Sequence, residues 1–180
     1  GRIVWVEMAD ANGVPKLRPA VIVTPSDRIT PAAPLDIIAV TSRVPEPLPD
    51  DHPVREFVMV MNGFDTDLDG ENEFYTVNGV ANYYAERPIP LKVGEPVRIY
   101  LVNVTEFDLI NSLHVHANMF RLYRTGTSLT QYEVTDTVML CQGERCILEF
   151  TYKTPGRYMF HAHQSEFAEL GWMGFFDVTA

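Results

Sequence analysis

The sequence predicts an all-β protein, a two-sheet sandwich preceded by a small β-rich segment, and three observations carry that prediction. Short runs rich in Val, Ile, Phe and Tyr recur along the whole chain, separated by Gly, Pro, Asn or Asp. No long stretch repeats its apolar residues at helical spacing. The runs follow one another at the spacing usual for sandwich strands.

In order, the expected strands are Ile3–Glu7, Ala20–Thr24, Asp36–Thr41, Phe57–Met61, Val97–Val104, Leu113–Tyr123, Ile147–Tyr152, Arg157–His161 and Gly174–Thr179. Gln164–Leu170 is the one segment suited to a short helix, closing at Gly171, where a left-handed residue ends a helix without steric cost. Between Val44 and Pro53 the run Val-Pro-Glu-Pro-Leu-Pro-Asp-Asp-His-Pro holds four prolines, which favour extended geometry and cannot support a central strand. This run places a boundary that leaves residues 1–53 as the small segment and residues 54–180 as one sandwich domain. Cys141 and Cys146 bracket Gln-Gly-Glu-Arg, read as a hairpin turn between Thr137–Leu140 and Ile147–Tyr152. Facing positions of such a hairpin suit a disulfide or two free thiols.

At 180 residues with 46% hydrophobic content the chain can bury one good core, or a core with a small module attached. Its formal charge of -10 speaks against nucleic-acid binding, which needs a surplus of Lys and Arg against phosphate. The longest apolar runs, such as Val97–Val104 with Arg98 inside, fall well short of the roughly 20 residues of a membrane span. No leader pattern opens the chain at Gly1, which leaves the compartment open.

Four of the five histidines form two His-x-His pairs, His114-Val115-His116 and His161-Ala162-His163. Chance placement of five histidines gives roughly a tenth of one such pair. Residues i and i+2 of a strand share a face, so each pair offers two imidazoles side by side. If the two strands are close, four neutral nitrogens converge on a site suited to Cu, Zn, Ni or Fe, and the affinity order favours Cu(II). Acid–base catalysis is the weaker alternative, because no Ser or Cys nucleophile stands in a recognisable arrangement with these histidines.

Residues 54–180 resemble the last cupredoxin domain of the multicopper oxidases. The match runs through Phe74-Tyr75-Thr76-Val77-Asn78-Gly79, Val93-Gly94-Glu95-Pro96-Val97-Arg98, Leu113-His114-Val115-His116, Pro155-Gly156-Arg157-Tyr158-Met159-Phe160-His161-Ala162-His163 and Gly171-Trp172-Met173-Gly174. The resemblance implies a cupredoxin-like Greek-key β-sandwich. It also implies that the two pairs supply half of a trinuclear copper cluster that reduces dioxygen, the other half coming from a second cupredoxin domain or subunit. An extracytoplasmic location goes with it. In that family a separate type 1 copper passes electrons in through a cysteine between the last two histidines, and here that place is Ala162. The two type 1 histidine positions fall on Asn111 and Phe167. Since a type 1 site needs a thiolate and two imidazoles, this domain is expected to lack one.

Other features carry less. Asp65-Thr66-Asp67-Leu68-Asp69-Gly70 opens like a calcium-binding EF-hand loop, but position 12 is Thr76 and strands flank it, so an acidic solvated loop is the expectation. Asn103-Val104-Thr105 fits a glycosylation sequon inside an expected strand and reads as incidental. Glu166 and Glu169 are placed to orient an imidazole or to be plain exposed carboxylates, and Trp172 is expected to pack the core.

The first segment is similar instead to the front half of a MazF/PemK-type toxin endoribonuclease, through Gly1-Arg2-Ile3-Val4-Trp5-Val6, Arg18-Pro19-Ala20-Val21-Ile22-Val23 and Ala39-Val40-Thr41-Ser42. That likeness puts Arg18 and Thr41 on RNA-cleaving positions. It stops near Pro53, and the segment holds five Lys and Arg against seven Asp and Glu, the wrong balance for gripping RNA. A structural prelude is the expected role.

The sequence therefore points to a copper-binding domain of multicopper-oxidase type, an oxidoreductase only within an assembly, possible partners being a second cupredoxin subunit or further copies of the chain. Its rivals are a module holding one ion on four histidines without turnover, and an endoribonuclease acting through residues 1–53.

Overall fold

A computed structural model describes Ile3–Ala9, Pro15–Ile22, Ile37–Ala39 and residues 54–180. The chain divides into two compact units, Gly1–Glu46 and Pro47–Ala180. In the first, β1 (Ile3–Ala9), β2 (Pro15–Ile22) and β3 (Ile37–Ala39) form an antiparallel sheet in that order. Strand β2 begins five residues earlier than expected and carries Pro19 opposite Trp5. The whole proline-rich run at the expected boundary, Val44 to Pro53, lies outside the described residues.

The second unit is a sandwich of two sheets. One has six strands, β10 (Glu133–Thr135), β9 (Phe120–Arg124), β12 (Arg145–Phe150), β7 (Val97–Asn103), β4 (Arg55–Phe64) and β5 (Phe74–Val77), side by side in that order. The other has five, β11 (Thr137–Cys141), β8 (Ile110–Val115), β13 (Gly156–His161), β14 (Met173–Thr179) and β6 (Ile89–Lys92). Strands β4 and β7 run parallel, as do β14 and β6; the other pairs are antiparallel. Alternation builds the core: β14 buries Gly174, Phe176 and Val178 while Met173, Phe175 and Asp177 turn outward. Met59, Ile99, Leu122, Leu148, Phe160 and Trp172 meet between the sheets with 2% exposure or less. On the outer face of the six-stranded sheet the buried Arg98 guanidinium is satisfied by Glu149 Oε1 at 2.6 and 2.8 Å and by Glu56 at 3.1 Å.

Two expectations are corrected. Leu113–Tyr123 is not one strand: β8 belongs to the five-stranded sheet and β9 to the six-stranded one, and the chain crosses between them at Ala117, whose φ is 55°. An unbroken strand there would carry Phe120 and Leu122 away from the core they fill. Nor do Cys141 and Cys146 bracket a hairpin. Strand β11 pairs with β8 while β12 pairs with β7 and β9, so the turn bridges the two sheets. Asn103 holds it, accepting from Gly143 N–H on its carbonyl at 2.8 Å and donating its amide to Leu140 O at 3.0 Å. Cys141 consequently points to solvent and Cys146 into the core, and both are free thiols. Asn103 is fully buried, which makes its sequon incidental.

The expected helix is α2 (Ser165–Glu169), stopped at Gly171 with φ 120°. A Cβ on Gly171 would lie 2.5 Å from Ala81 Cβ and 2.8 Å from Tyr75 O. The one-turn helix α1 (Tyr83–Glu86) and the short strands β5, β6 and β10 escaped the sequence reading. Among the described residues, no helix is long and apolar enough to cross a membrane.

Candidate metal centre

The antiparallel pairing of β8 with β13 sets His114 directly opposite His161. Both side chains face outward, since Leu113, Val115 and Phe160 take the inward positions. The partners in each His-x-His lie just past the strand ends. His116 sits in the turn after β8 and donates its N–H to Met159 O at 2.9 Å; His163 follows β13 and donates its N–H to Ser112 Oγ at 2.8 Å. Because the strands are antiparallel, the two pairs overlap at only one level. The four imidazoles form a diagonal, with His114 and His161 in the middle, His116 towards one end and His163 towards the other.

Ligand atoms of His114, His116 and His161 all lie within 4.8 Å of one another, and His163 is not part of that set. The His163 ring centre is 5.3 Å from that of His114 and 5.9 Å from that of His161. His116 and His161 face each other through Nε2 atoms 2.9 Å apart.

Hydrogen bonding fixes two tautomers. His114 Nδ1 lies 3.1 Å from Asp136 O and 2.8 Å from Thr137 Oγ1, and His161 Nδ1 lies 2.5 Å from Ala162 O. A carbonyl only accepts, so in each ring Nδ1 carries the proton and Nε2 keeps its lone pair. Desolvation, then the neighbouring imidazoles His114 and His163, lower the pKa of His116. In His161 desolvation is again the largest cause of a lowered pKa, opposed by the bond to Ala162 O. Both effects favour neutral imidazoles, the form that binds metal.

Glu166 and Glu169 are exposed and bond to no imidazole among the described residues, while Trp172 is fully buried, as expected for a core residue. The positions matched to type 1 ligands are packed into the interior. Asn111 and Ala162 have 0% exposure, and Phe167 stacks on Tyr75 with ring centres 3.8 Å apart. Asn111 spends its amide on Thr105 Oγ1 and Ser112 N–H.

The acidic loop draws Asp65, Asp67 and Asp69 together with Glu73, which sequence spacing did not single out. Its carboxylates are largely engaged by the loop's own backbone: Asp65 accepts from Leu68 and Gly70, and Glu73 from Thr66. Of the residues suggested by the first segment's likeness, Arg18 lies on β2 opposite Val6, and Thr41 is outside the described residues. Sequence reasoning also missed Asp136, Thr137 and Ser112, which reach the histidines only through strand register.

Comparison with known proteins agrees with this architecture. The sequence model of the multicopper oxidase family matches residues 50–180. The multicopper oxidase mco of Staphylococcus epidermidis is 27% identical over 119 residues, covering 62% of this chain and 26% of that protein. A crystal structure of a multicopper oxidase is 54% identical with a TM-score of 0.69, over 71% of this chain and 46% of the other. The Cu-containing nitrite reductase of Thermus scotoductus shares the fold at 23% identity and a TM-score of 0.64, over 69% of this chain and 31% of its own. The chain thus spans about a quarter of the curated relative and under half of the first of these structures. With the family's sequence pattern over residues 50–180 and the two-sheet sandwich both in place, this chain belongs to the multicopper oxidase family and carries one of its cupredoxin domains.

Proposed function

We propose that His114, His116, His161 and His163 bind copper as this chain's share of a polynuclear site, completed by another cupredoxin domain or subunit and acting as an oxidoreductase on dioxygen. The observation that carries the reading is the outward-facing diagonal of imidazoles, three of them with ligand atoms within 4.8 Å of one another. The facing Nε2 atoms, 2.9 Å apart, match the spacing of two imidazoles on one ion with bonds of about 2 Å. The offset of His163 favours more than one ion over a single ion on four histidines.

Copper would supply one-electron redox chemistry, and the chain's own residues prepare for it. His114 and His161 present Nε2 lone pairs because their Nδ1 protons are held, in His114 by Thr137 Oγ1 and the Asp136 carbonyl and in His161 by the Ala162 carbonyl. The outward face leaves the imidazoles open to a partner. Asn111, Ala162 and Phe167 offer neither thiolate nor imidazole, so electrons must enter through the partner.

Metal content per chain, measured with sedimentation in the presence and absence of copper, tests the reading. The expected result is copper bound with a rise in oligomeric mass, and loss of tight binding in the His116→Ala/His163→Ala double variant. Unchanged copper content in that variant refutes the ligand set. A monomer holding one ion turns the reading to a metal-handling module.

A further inference from the structure

Both acceptors of His114 Nδ1 come from a segment that holds no histidine. Strand β10 pairs with β9 in one sheet and β11 with β8 in the other, so Asp136, the single residue between β10 and β11, is where the chain changes sheets. Its carbonyl accepts Val115 N–H at 3.0 Å, and His114 Nδ1 lies 3.1 Å from the same oxygen. Thr137, the next residue, is the direct cross-strand partner of His114.

The hydroxyl between them has an assigned direction. Thr137 Oγ1 donates its proton to Asp136 Oδ1 at 3.0 Å, so the lone pairs of Oγ1 remain for His114 Nδ1, 2.8 Å away. With its proton committed to a carboxylate, the hydroxyl cannot donate to the ring, and the carbonyl beside it never can. Two acceptors on one nitrogen exclude the Nε2–H tautomer and fix the ring plane. Neighbours that bond the far nitrogen of a metal-binding histidine commonly set its tautomer and orientation.

We infer that Thr137, oriented by Asp136, is a positioning residue that locks His114 as the Nδ1–H tautomer and so keeps its Nε2 free for metal. The inference rests on the copper reading for its purpose, but its physical content is a proton position that exists without metal. Thr137 is half-buried on the outward face of the edge strand, so replacing it leaves the core intact.

The test is nitrogen-15 NMR of the His114 ring in metal-free protein at pH 8, paired with copper titration of the same samples. The unaltered chain should show His114 almost wholly as Nδ1–H. In Thr137→Val, which keeps the branched shape and loses the hydroxyl, His114 Nδ1 keeps only the longer 3.1 Å contact to an Asp136 carbonyl already bonded to Val115 N–H, so an Nε2–H population should appear and copper affinity should fall about 10–100-fold. Thr137→Ser should restore both. Thr137→Ala, which adds no bulk, should repeat the Val result and guards against a packing artefact. An unchanged tautomer or an unchanged affinity in both hydroxyl-free variants overturns the inference. Full copper uptake by His114→Ala would instead strike the ligand assignment and leave the tautomer result standing.

Discussion

At the scale of single residues, the two cysteines show how parity along a strand decides chemistry. Burial pushes the Cys146 thiol up to about 12, while the exposed Cys141 thiol is raised mainly by its hydrogen bond to the Glu144 carboxylate. A raised thiol pKa means less thiolate at a given pH, and thiolate is the reactive form. At pH 8 a thiol reagent should therefore label one cysteine per native chain and two after denaturation, as counted by mass spectrometry. Glu144→Gln should speed the native labelling, and rapid reaction of both thiols in the native protein would contradict the packing. Ala162 is the other telling residue. With 0% exposure beside a core that already contains Phe167 and Trp172, Ala162→Cys should cost about 1–3 kcal/mol by overpacking. It should also give no intense blue absorbance with copper, because no imidazole stands at 111 or 167. A strong blue band would show that the motif is misaligned.

At the scale of elements, single residues in the connections between strands carry much of the order. Asn78, at φ 57°, ties β4 to the turn after β5: its side chain accepts Val60 N–H at 2.9 Å and donates to Val58 O at 2.9 Å and to the Tyr84 hydroxyl oxygen at 3.0 Å. Asn78→Ala should cost about 2–4 kcal/mol, since it strands main-chain groups in a half-buried place. Gly171 joins α2 to β14. Its replacement by Ala should cost about 3–5 kcal/mol through the positive φ and the clash with Ala81 and the Tyr75 carbonyl. Thermal melts check both values. Gly171→Ala should also weaken copper binding more than its melting temperature alone suggests, because β14 is the neighbour that fixes β13 and His161.

At the scale of the whole molecule, the domain covers 46% of a 54%-identical multicopper oxidase, and the partner proposed above would meet it on the face that displays the imidazoles. Outward methionines border that face: Met173 opposes His161, Met159 lies level with His116, and Met139 opposes Ser112. Met139 is 56% exposed, so Met139→Glu should alter stability by no more than about 0.5 kcal/mol. Placed beside the histidine face, it should nonetheless weaken copper-dependent association in sedimentation. Association identical to that of the unaltered chain would locate the interface elsewhere.

The sequence by itself determined the all-β character, the short helix ending at Gly171 and the pairing of histidines. These depend on local quantities: β-branched and aromatic content, alternation, turn residues, and the two-residue repeat that puts i and i+2 on one face. That Asn111, Ala162 and Phe167 offer neither thiolate nor imidazole was equally legible, because it depends only on which residue types occupy three positions. Tertiary structure alone decided which strands share a sheet. It split Leu113–Tyr123 between the two sheets, turned the expected cysteine hairpin into a bridge between them, and separated the two thiols. It also decided that His114 faces His161 and Thr137 while His163 stands apart, since antiparallel register sets those distances and nothing within either His-x-His encodes it. Local chemistry chooses the element, but pairing between residues 23 to 47 positions apart in the chain is settled only when the two apolar faces close on a common core.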